Sequence, residues 1–245
     1  MSGRSKRKPS LRGIVRALAL IAIAAVLLYQ IGLFLLVVLY NFHNPGSSAF
    51  MRETLAELRA EHPDARLIHE WVPYAKISNN LKRAVIASED STFVENDGVN
   101  WDAIRQAWFY NLRQIRRGSD KRRGGSTITQ QLAKNLFLSD SRSYLRKAQE
   151  LVLAYMINAV MSKQRILELY LNLAQWGGNL FGAEAAAQRY YHTSAARLSS
   201  RQAAQLAVML PDPDYFGDHR SSSYLQRRTG VIEHRMRLVN IPGVH

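Results

Sequence analysis

The sequence contains no cysteine, although 47% of its 245 residues are hydrophobic. Disulfide bonds and thiolate metal sites are therefore excluded. Any part of the chain that lies outside the cytoplasm has to be stabilised by its hydrophobic core alone. The length allows one membrane segment and one domain of average to large size, but not two full enzymatic domains.

Motifs of two large enzyme classes are also missing. The sequence has no His-Glu-x-x-His pair, so a zinc protease is not supported, and Gly-Gly-Ser-Thr at 124–127 lacks the Gly-Lys-Ser/Thr end of a nucleotide-binding loop. A Ser-x-x-Lys match occurs only at Ser5 to Lys8, within a basic tail, and carries no weight. Strand-like alternation of apolar and polar residues is scarce, so we predict a mainly helical protein.

Acidic residues are few, 19 against 33 lysines and arginines, which gives a formal net charge of +14. Residues 1–16 carry six cations and no acid, and residues 17–40 carry no charge. An uncharged run of this length spans a bilayer as a helix, and the preceding cations keep the tail in the cytoplasm. A cleaved signal peptide is the alternative, but its apolar core is shorter. We therefore predict a basic cytoplasmic tail (1–16), a transmembrane anchor (17–40) and an exported remainder.

The exported remainder is basic in its own right, because residues 41–245 hold 27 cations and 19 acids. Such a surplus favours anionic partners. Export argues against nucleic acid, which leaves membrane lipids and lipid-linked phosphates. Residues 41–70 are predicted to be a connector with a short amphipathic helix at 51–61, and helical patterns dominate from Asn80 onward.

The stretch AVIASEDSTFVENDG (84–98) runs an apolar helical turn into two adjacent carboxylates, Glu89 and Asp90. Like charge and partial burial both raise the pKa of a carboxyl group, which is the condition for a useful base near neutral pH. A solvated pair that caps a helix end is the alternative interpretation. The residues alone leave both open.

Glu150 is a second candidate carboxylate, at the point where a charged helix becomes apolar on all sides. Arg142, Arg146 and Lys147 share its side of that helix, at spacings of four and three residues. Surface ion pairs would give the same pattern. Thr127 and Gln130 form a capping box at the start of another helix, on which Gln130, Gln131, Lys134 and Asn135 are predicted to form a polar ledge. Cations beside helix N-terminal amides suit a group with several negative charges.

Five ordered blocks resemble the peptidoglycan glycosyltransferase (transglycosylase) family in its monofunctional, membrane-anchored form. They are SEDSTF with Gly98, GGSTITQQLAKNLF, RKAQE with LVLA, RILELYLNLAQWGGNLFGAEAAAQRYY, and LSSRQAAQLAVMLPDPDYF. The resemblance covers 71–245. It implies an all-α, lysozyme-like, two-lobed domain in the periplasm, held at the bacterial inner membrane by one N-terminal transmembrane helix with a cytoplasmic N-terminus.

The resemblance also implies the reaction and its residues. Lipid II would be polymerised into β-1,4-linked glycan strands with release of undecaprenyl diphosphate and inversion of configuration. Glu89 would be the general base, oriented by Asp90, and Glu150 would assist the departing diphosphate directly or through Mg²⁺ or Mn²⁺. The diphosphate and substrate would be bound by the following residues: Ser126, Gln130, Gln131, Lys134, Asn135, Arg142, Arg146 and Lys147. Cell-wall synthases or division proteins are the protein partners that this role suggests.

Two features bear on that interpretation. Asn96 stands where the family often has histidine, and an asparagine cannot relay a proton. Residues 99–117 occupy the place of a membrane-touching subdomain, and an ordinary packed helix is the alternative interpretation of the same pattern. Their aromatic and basic side chains suit an interface: Trp101, Trp108, Phe109, Tyr110, Arg113, Arg116 and Arg117. A lysozyme-like glycan-cleaving enzyme and a non-catalytic scaffold that binds lipid II remain the alternative functions.

Overall fold

A computed structural model describes residues 11–139 and 143–243. Within these ranges the chain is mainly helical, as predicted. The helices are α1 (Leu11–Phe42), α2 (Ala49–Glu61), α3 (Asn79–Glu89), α4 (Trp101–Arg116), α5 (Ile128–Phe137), α6 (Tyr144–Val160), α7 (Lys163–Leu173), α8 (Ala183–Tyr191), α9 (Ser200–Met209), α10 (Pro213–Asp218) and α11 (Ser223–Arg235). Short 3-10 turns lie at Tyr74–Lys76, Ala195–Arg197 and Met236–Leu238.

Three very short strands form one small sheet in the order β1-β3-β2. Strand β1 (Ile68–His69) pairs in parallel with β3 (Leu180–Phe181), and β2 (Gln175–Gly177) pairs antiparallel with β3. The chain then enters α8 through Gly182, whose φ is +88°. A Cβ atom there would lie 2.9 Å from the Asn172 carbonyl oxygen, so this close passage requires glycine.

Two groups of packed helices provide the two sides of the molecule. Helices α3, α9 and α11 pack on one another, while α5 packs on α6 and α7. Their buried faces are apolar stripes, for example Leu81, Val85 and Ile86 on α3. Trp176 is completely buried, and its indole nitrogen donates to the Leu206 carbonyl oxygen at 3.1 Å. The all-α, lysozyme-like architecture predicted from the sequence is confirmed.

Helix α1 has the length and composition of a single membrane span, with a mean hydropathy of 2.7 in its most apolar window. It covers the predicted anchor (17–40) and extends beyond it at both ends. Its C-terminal half packs against α6, where Gln30 and Gln149 exchange two hydrogen bonds of 2.6 and 3.1 Å. Arg165 donates to the carbonyl oxygens of Tyr40 and His43 just beyond. The apolar helix is thus fixed to the domain at its C-terminal end.

Candidate active site

A cleft of about 1200 Å³ runs between the two groups of helices. Its walls come from the C-terminal end of α3, one face of α5, the first turns of α6 and one face of α11. The loop before α5 contributes Arg122 and Arg123. One groove therefore collects carboxylates and cations that are distant in the sequence.

Glu89 is the last residue of α3, and the buried stripe of that helix fixes its direction into the cleft. Its carboxylate accepts a hydrogen bond from Gln131 Nε2 at 3.0 Å and another from the Ser88 hydroxyl at 3.1 Å. Burial raises the pKa of Glu89 above its ordinary value, and those two hydrogen bonds offset part of the rise. The charge of the neighbouring Asp90 is a smaller influence on this pKa than burial is.

Asp90 is buried and faces α5. Its carboxylate accepts from Asn96 Nδ2 at 3.0 Å through both oxygens, from the Thr92 hydroxyl at 3.3 Å and from the Ile128 backbone N–H at 3.2 Å. Asp90 thereby holds the end of α3 against the first turn of α5, where an anion is electrostatically favoured. Asp90 therefore affects the shape of the cleft by fixing the position of α5.

Asn96 has a structural place in the cleft wall. Besides Asp90, its amide nitrogen donates to the Thr92 carbonyl oxygen at 3.1 Å, and its amide oxygen accepts from the Gly98 backbone N–H at 3.0 Å. An asparagine satisfies this set of partners without carrying or moving a proton. The side chain holds Asp90 and the loop that leads to α4.

The N-terminus of α5 is built by the capping box that the sequence predicts. The Thr127 hydroxyl accepts from the Gln130 N–H, and Gln130 Oε1 accepts from the Thr127 N–H at 3.0 Å. Gln130 is completely buried, so it is part of the helix cap as well as of the cleft lining. Ser126, Gln131 and the largely buried Asn135 line the cleft beside it. All four residues of the predicted polar ledge therefore line the cleft, and Gln130 is the one that is completely buried.

Glu150 and two cations form a cluster on the facing wall, in the first turns of α6. Both carboxylate oxygens of Glu150 are engaged, one by Arg146 at 3.0 Å and the other by the Lys147 ammonium. The Glu150 side chain is only 4% exposed, whereas Lys147 is 40% exposed and reaches the Ser126 hydroxyl at 3.1 Å. Lys134 also lines the cleft, with its ammonium 5.2 Å from the Phe50 ring centroid. Arg142 lies outside the described residues.

The charge of this cluster is suited to an anionic ligand. Glu150 neutralises one of two cations, so the cluster keeps a positive charge. Lys134 lines the same cleft. The partly exposed Lys147 presents its ammonium to the cleft while Glu150 and Ser126 fix its position. Fixed cations in a groove of limited solvent access stabilise developing negative charge strongly.

Sequence reasoning missed two parts of the site. Tyr170 on α7 lies in the cleft wall and donates from its hydroxyl to Gln131 Oε1 at 2.8 Å. On α11, Tyr224, Arg228 and Arg235 line the opposite wall, and the charge of Arg228 lowers the pKa of Glu89. Their spacing of four and seven residues on one helix face was the available signal.

The donor set around Glu150 does not fit a resident divalent cation. Mg²⁺ and Mn²⁺ prefer several oxygen ligands, and both Glu150 oxygens already contact cationic side chains. Within residues 11–139 and 143–243 no group of three or more histidine, aspartate or glutamate residues is placed to hold a metal.

A helical domain that carries one apolar helix of membrane-spanning length, and whose cleft pairs a partly buried carboxylate with a cationic cluster, has the features of an enzyme that works on an anionic substrate. The family model described as Transglycosylase matches residues 54–237, which include part of the predicted connector. The chain belongs to the transglycosylase family, and the resemblance drawn from its five blocks is confirmed.

Relatives match over nearly the whole chain. A protein of Bordetella pertussis named biosynthetic peptidoglycan transglycosylase is 62% identical over 229 residues, covering 94% of this chain and 95% of its own length. Proteins with the same name from Herminiimonas arsenicoxydans and Chromobacterium violaceum are 53% and 49% identical. They cover 95% and 90% of this chain, and 99% and 95% of their own lengths.

Proposed function

We propose that this protein is a peptidoglycan glycosyltransferase that polymerises lipid II into β-1,4-linked glycan strands. The observation that carries the proposal is the pairing within one cleft of a partly buried carboxylate, Glu89, with the cations Lys134, Arg146 and Lys147. Family membership supports the same reaction. The attacking sugar hydroxyl of lipid II needs a general base, and Glu89 supplies it. The leaving diphosphate needs positive charge, and the lysines and arginine of the cleft supply that.

Glu89 acts as the general base. It takes the proton of the 4-hydroxyl of the incoming lipid II while that oxygen attacks the anomeric carbon of the growing strand. Such proton transfer typically accelerates a reaction by about 10²- to 10⁴-fold. Because burial raises the pKa of Glu89, its carboxylate holds the captured proton better than a solvated glutamate would.

The bond between the anomeric carbon and the diphosphate oxygen breaks as the new bond forms, and the electron pair leaves with undecaprenyl diphosphate. Attack from the face opposite the leaving group inverts the configuration. The departing group is a stable anion, so it requires charge stabilisation more than protonation. Lys147 and Arg146, held by Glu150, supply that stabilisation together with Lys134.

The proposal is tested with the purified full chain in detergent or bilayers, incubated with lipid II. We expect a polymer that lysozyme digests, and release of undecaprenyl diphosphate. Release of soluble fragments from finished sacculi, with no polymer from lipid II, would instead identify a lysozyme-like cleaving enzyme. Binding of lipid II without turnover by folded protein would identify a scaffold. Either of these results contradicts the proposal.

The proposed location is the bacterial inner membrane, with the N-terminus in the cytoplasm and the catalytic domain in the periplasm. The apolar α1 and the cations before it support this orientation. The substrate is itself lipid-linked, so the cleft has to open near the bilayer. Cell-wall synthases or division proteins remain predicted partners.

Helix α4 is proposed to touch the bilayer. Three large aromatic side chains of this helix are exposed: Trp101 by 56%, Trp108 by 64% and Phe109 by 52%. Exposing this much apolar surface to water is unfavourable, and contact with lipid would remove it from water. In the full chain reconstituted with brominated lipids, Trp108 should be quenched, so Trp108→Phe should remove part of the quenchable fluorescence. Replacing the completely buried Trp176 by phenylalanine is the control and should leave the quenched part unchanged. An unquenched Trp108 would place α4 away from the lipid.

A further inference from the structure

A chain of two hydrogen bonds connects a buried tyrosine with the candidate base. The Tyr170 hydroxyl donates to Gln131 Oε1 at 2.8 Å, and Gln131 Nε2 donates to Glu89 Oε2 at 3.0 Å. The three residues come from α7, α5 and α3, so the chain crosses from one group of helices to the other. Only the fold brings these residues together.

The two ends of the Gln131 amide are nearly equal in shape and opposite in hydrogen bonding. With the nitrogen toward Glu89, the amide donates to the carboxylate. With the oxygen toward Glu89, two acceptors would face each other, which is unfavourable while the carboxylate is charged. A group that donates to the Gln131 oxygen from the far side selects the first arrangement.

We propose that Tyr170 is a positioning residue for Glu89, which acts through Gln131 by holding the amide nitrogen toward the carboxylate. The inference rests on the proposed function, since it assigns Tyr170 a part in the step that Glu89 performs. Tyr170 is 2% exposed and lies among the core residues of α7, so its hydroxyl has a fixed position. A phenylalanine would fill nearly the same space but could not orient the amide.

The tyrosine keeps its proton throughout the working range. Burial, and to a lesser extent the charge of Glu89, raise the pKa of Tyr170 well above its ordinary value. The hydroxyl therefore stays a neutral donor at any pH at which the enzyme is assayed. It orients the base without competing for the proton that the base removes.

The other groups around Glu89 do not depend on this hydroxyl. Directly after α3, Asp90 raises the pKa of Glu89, and on α11 Arg228 lowers it. Lys134 is the cation of α5 in the same cleft, and α9 contributes the apolar Val208. Because these groups remain when the Tyr170 hydroxyl is removed, a change in the pH profile would report on the Gln131 contact.

The test is Tyr170→Phe in the full chain, with kcat and KM for lipid II measured across pH. Losing an oriented hydrogen bond raises the pKa of Glu89, so the acidic limb of kcat/KM should move to higher pH. At pH values on that acidic limb, kcat/KM of Tyr170→Phe should be roughly two- to tenfold lower than that of the wild type. The loss should come from kcat, with little change in KM.

Tyr191→Phe is the matched control, because the Tyr191 hydroxyl also donates to a glutamine, Gln205 Oε1 at 2.7 Å, away from the cleft. It should leave the pH profile unchanged. Gln131→Met should shift the acidic limb in the same direction as Tyr170→Phe. It tests the two hydrogen bonds even if Tyr170→Phe folds poorly. A profile of Tyr170→Phe or Gln131→Met that coincides with the wild type would overturn the inference. Polymerisation by the wild type would still stand.

Discussion

Glu89→Gln should lower kcat for lipid II polymerisation by about 10²- to 10⁴-fold, with lipid II binding retained. Glutamine keeps the size of the side chain and an oxygen that can accept from Gln131 and Ser88, so the cleft should keep its shape. It cannot take up the proton of the acceptor hydroxyl. The measurement is the initial rate of polymer formation at saturating lipid II, together with the thermal unfolding temperature.

Glu95→Gln is the control, because it makes the same chemical change at an exposed position in the loop that follows. It should behave as the wild type. Full activity of a folded Glu89→Gln variant would remove Glu89 as the base and with it the mechanism.

The wild-type pH profile gives an independent check on Glu89. Burial raises the pKa of Glu89, so the carboxylate that accepts the proton predominates only above that raised value. Activity should therefore increase with pH through an acidic limb that lies above the ordinary pKa of a glutamate. A limb at the ordinary value would mean that the base is solvated in the working enzyme.

Local patterns in the sequence predict much of this molecule. The apolar stripe of α3 and the capping box of α5 are each set within about one helical turn, so residues three and four apart carry the signal. The cluster of Arg146, Lys147 and Glu150 is local in the same way, and the structure brings these three side chains into contact. An uncharged run of helical length is equally readable as α1.

Contacts between distant parts of the chain were not predictable in this way. The resemblance implied that Asp90 orients Glu89, but no pattern in the sequence indicated that the Asp90 carboxylate accepts from the Ile128 N–H, 38 residues away. Tyr170 and Gln131 are 39 residues apart, and no periodicity links them. The raised pKa of Glu89 was expected from charge and burial together, and burial is the larger cause. Burial depends on how α3 packs, which a single segment does not encode.

The second large effect is expected at the cationic cluster. Lys147→Met should lower kcat by about 10²- to 10³-fold, the usual effect of removing one preorganised group that faces developing negative charge. Methionine keeps most of the length of the side chain but has no positive charge to stabilise the departing diphosphate. Lys76→Met changes the net charge equally at an exposed site away from the cleft, and it should have little effect.

Glu150 distinguishes two versions of the leaving-group step. Both of its oxygens contact Arg146 or Lys147, and its side chain is 4% exposed, so the geometry favours a role in holding the cations over direct contact with the diphosphate. In that case Glu150→Gln should lose activity because Lys147 is no longer fixed. The double variant Glu150→Gln, Lys147→Met should then be little worse than Lys147→Met alone, since both changes remove one interaction.

A direct role for Glu150 predicts the opposite result. The two losses would then multiply, to about 10⁴-fold or more if each single change costs 10². Removing one partner of a largely buried ion pair also destabilises the fold, so the unfolding temperature of each variant has to be measured beside its rate. Multiplied losses in a folded double variant would show that Glu150 touches the departing group itself. Lys147 and Arg146 would then stabilise the diphosphate independently of Glu150.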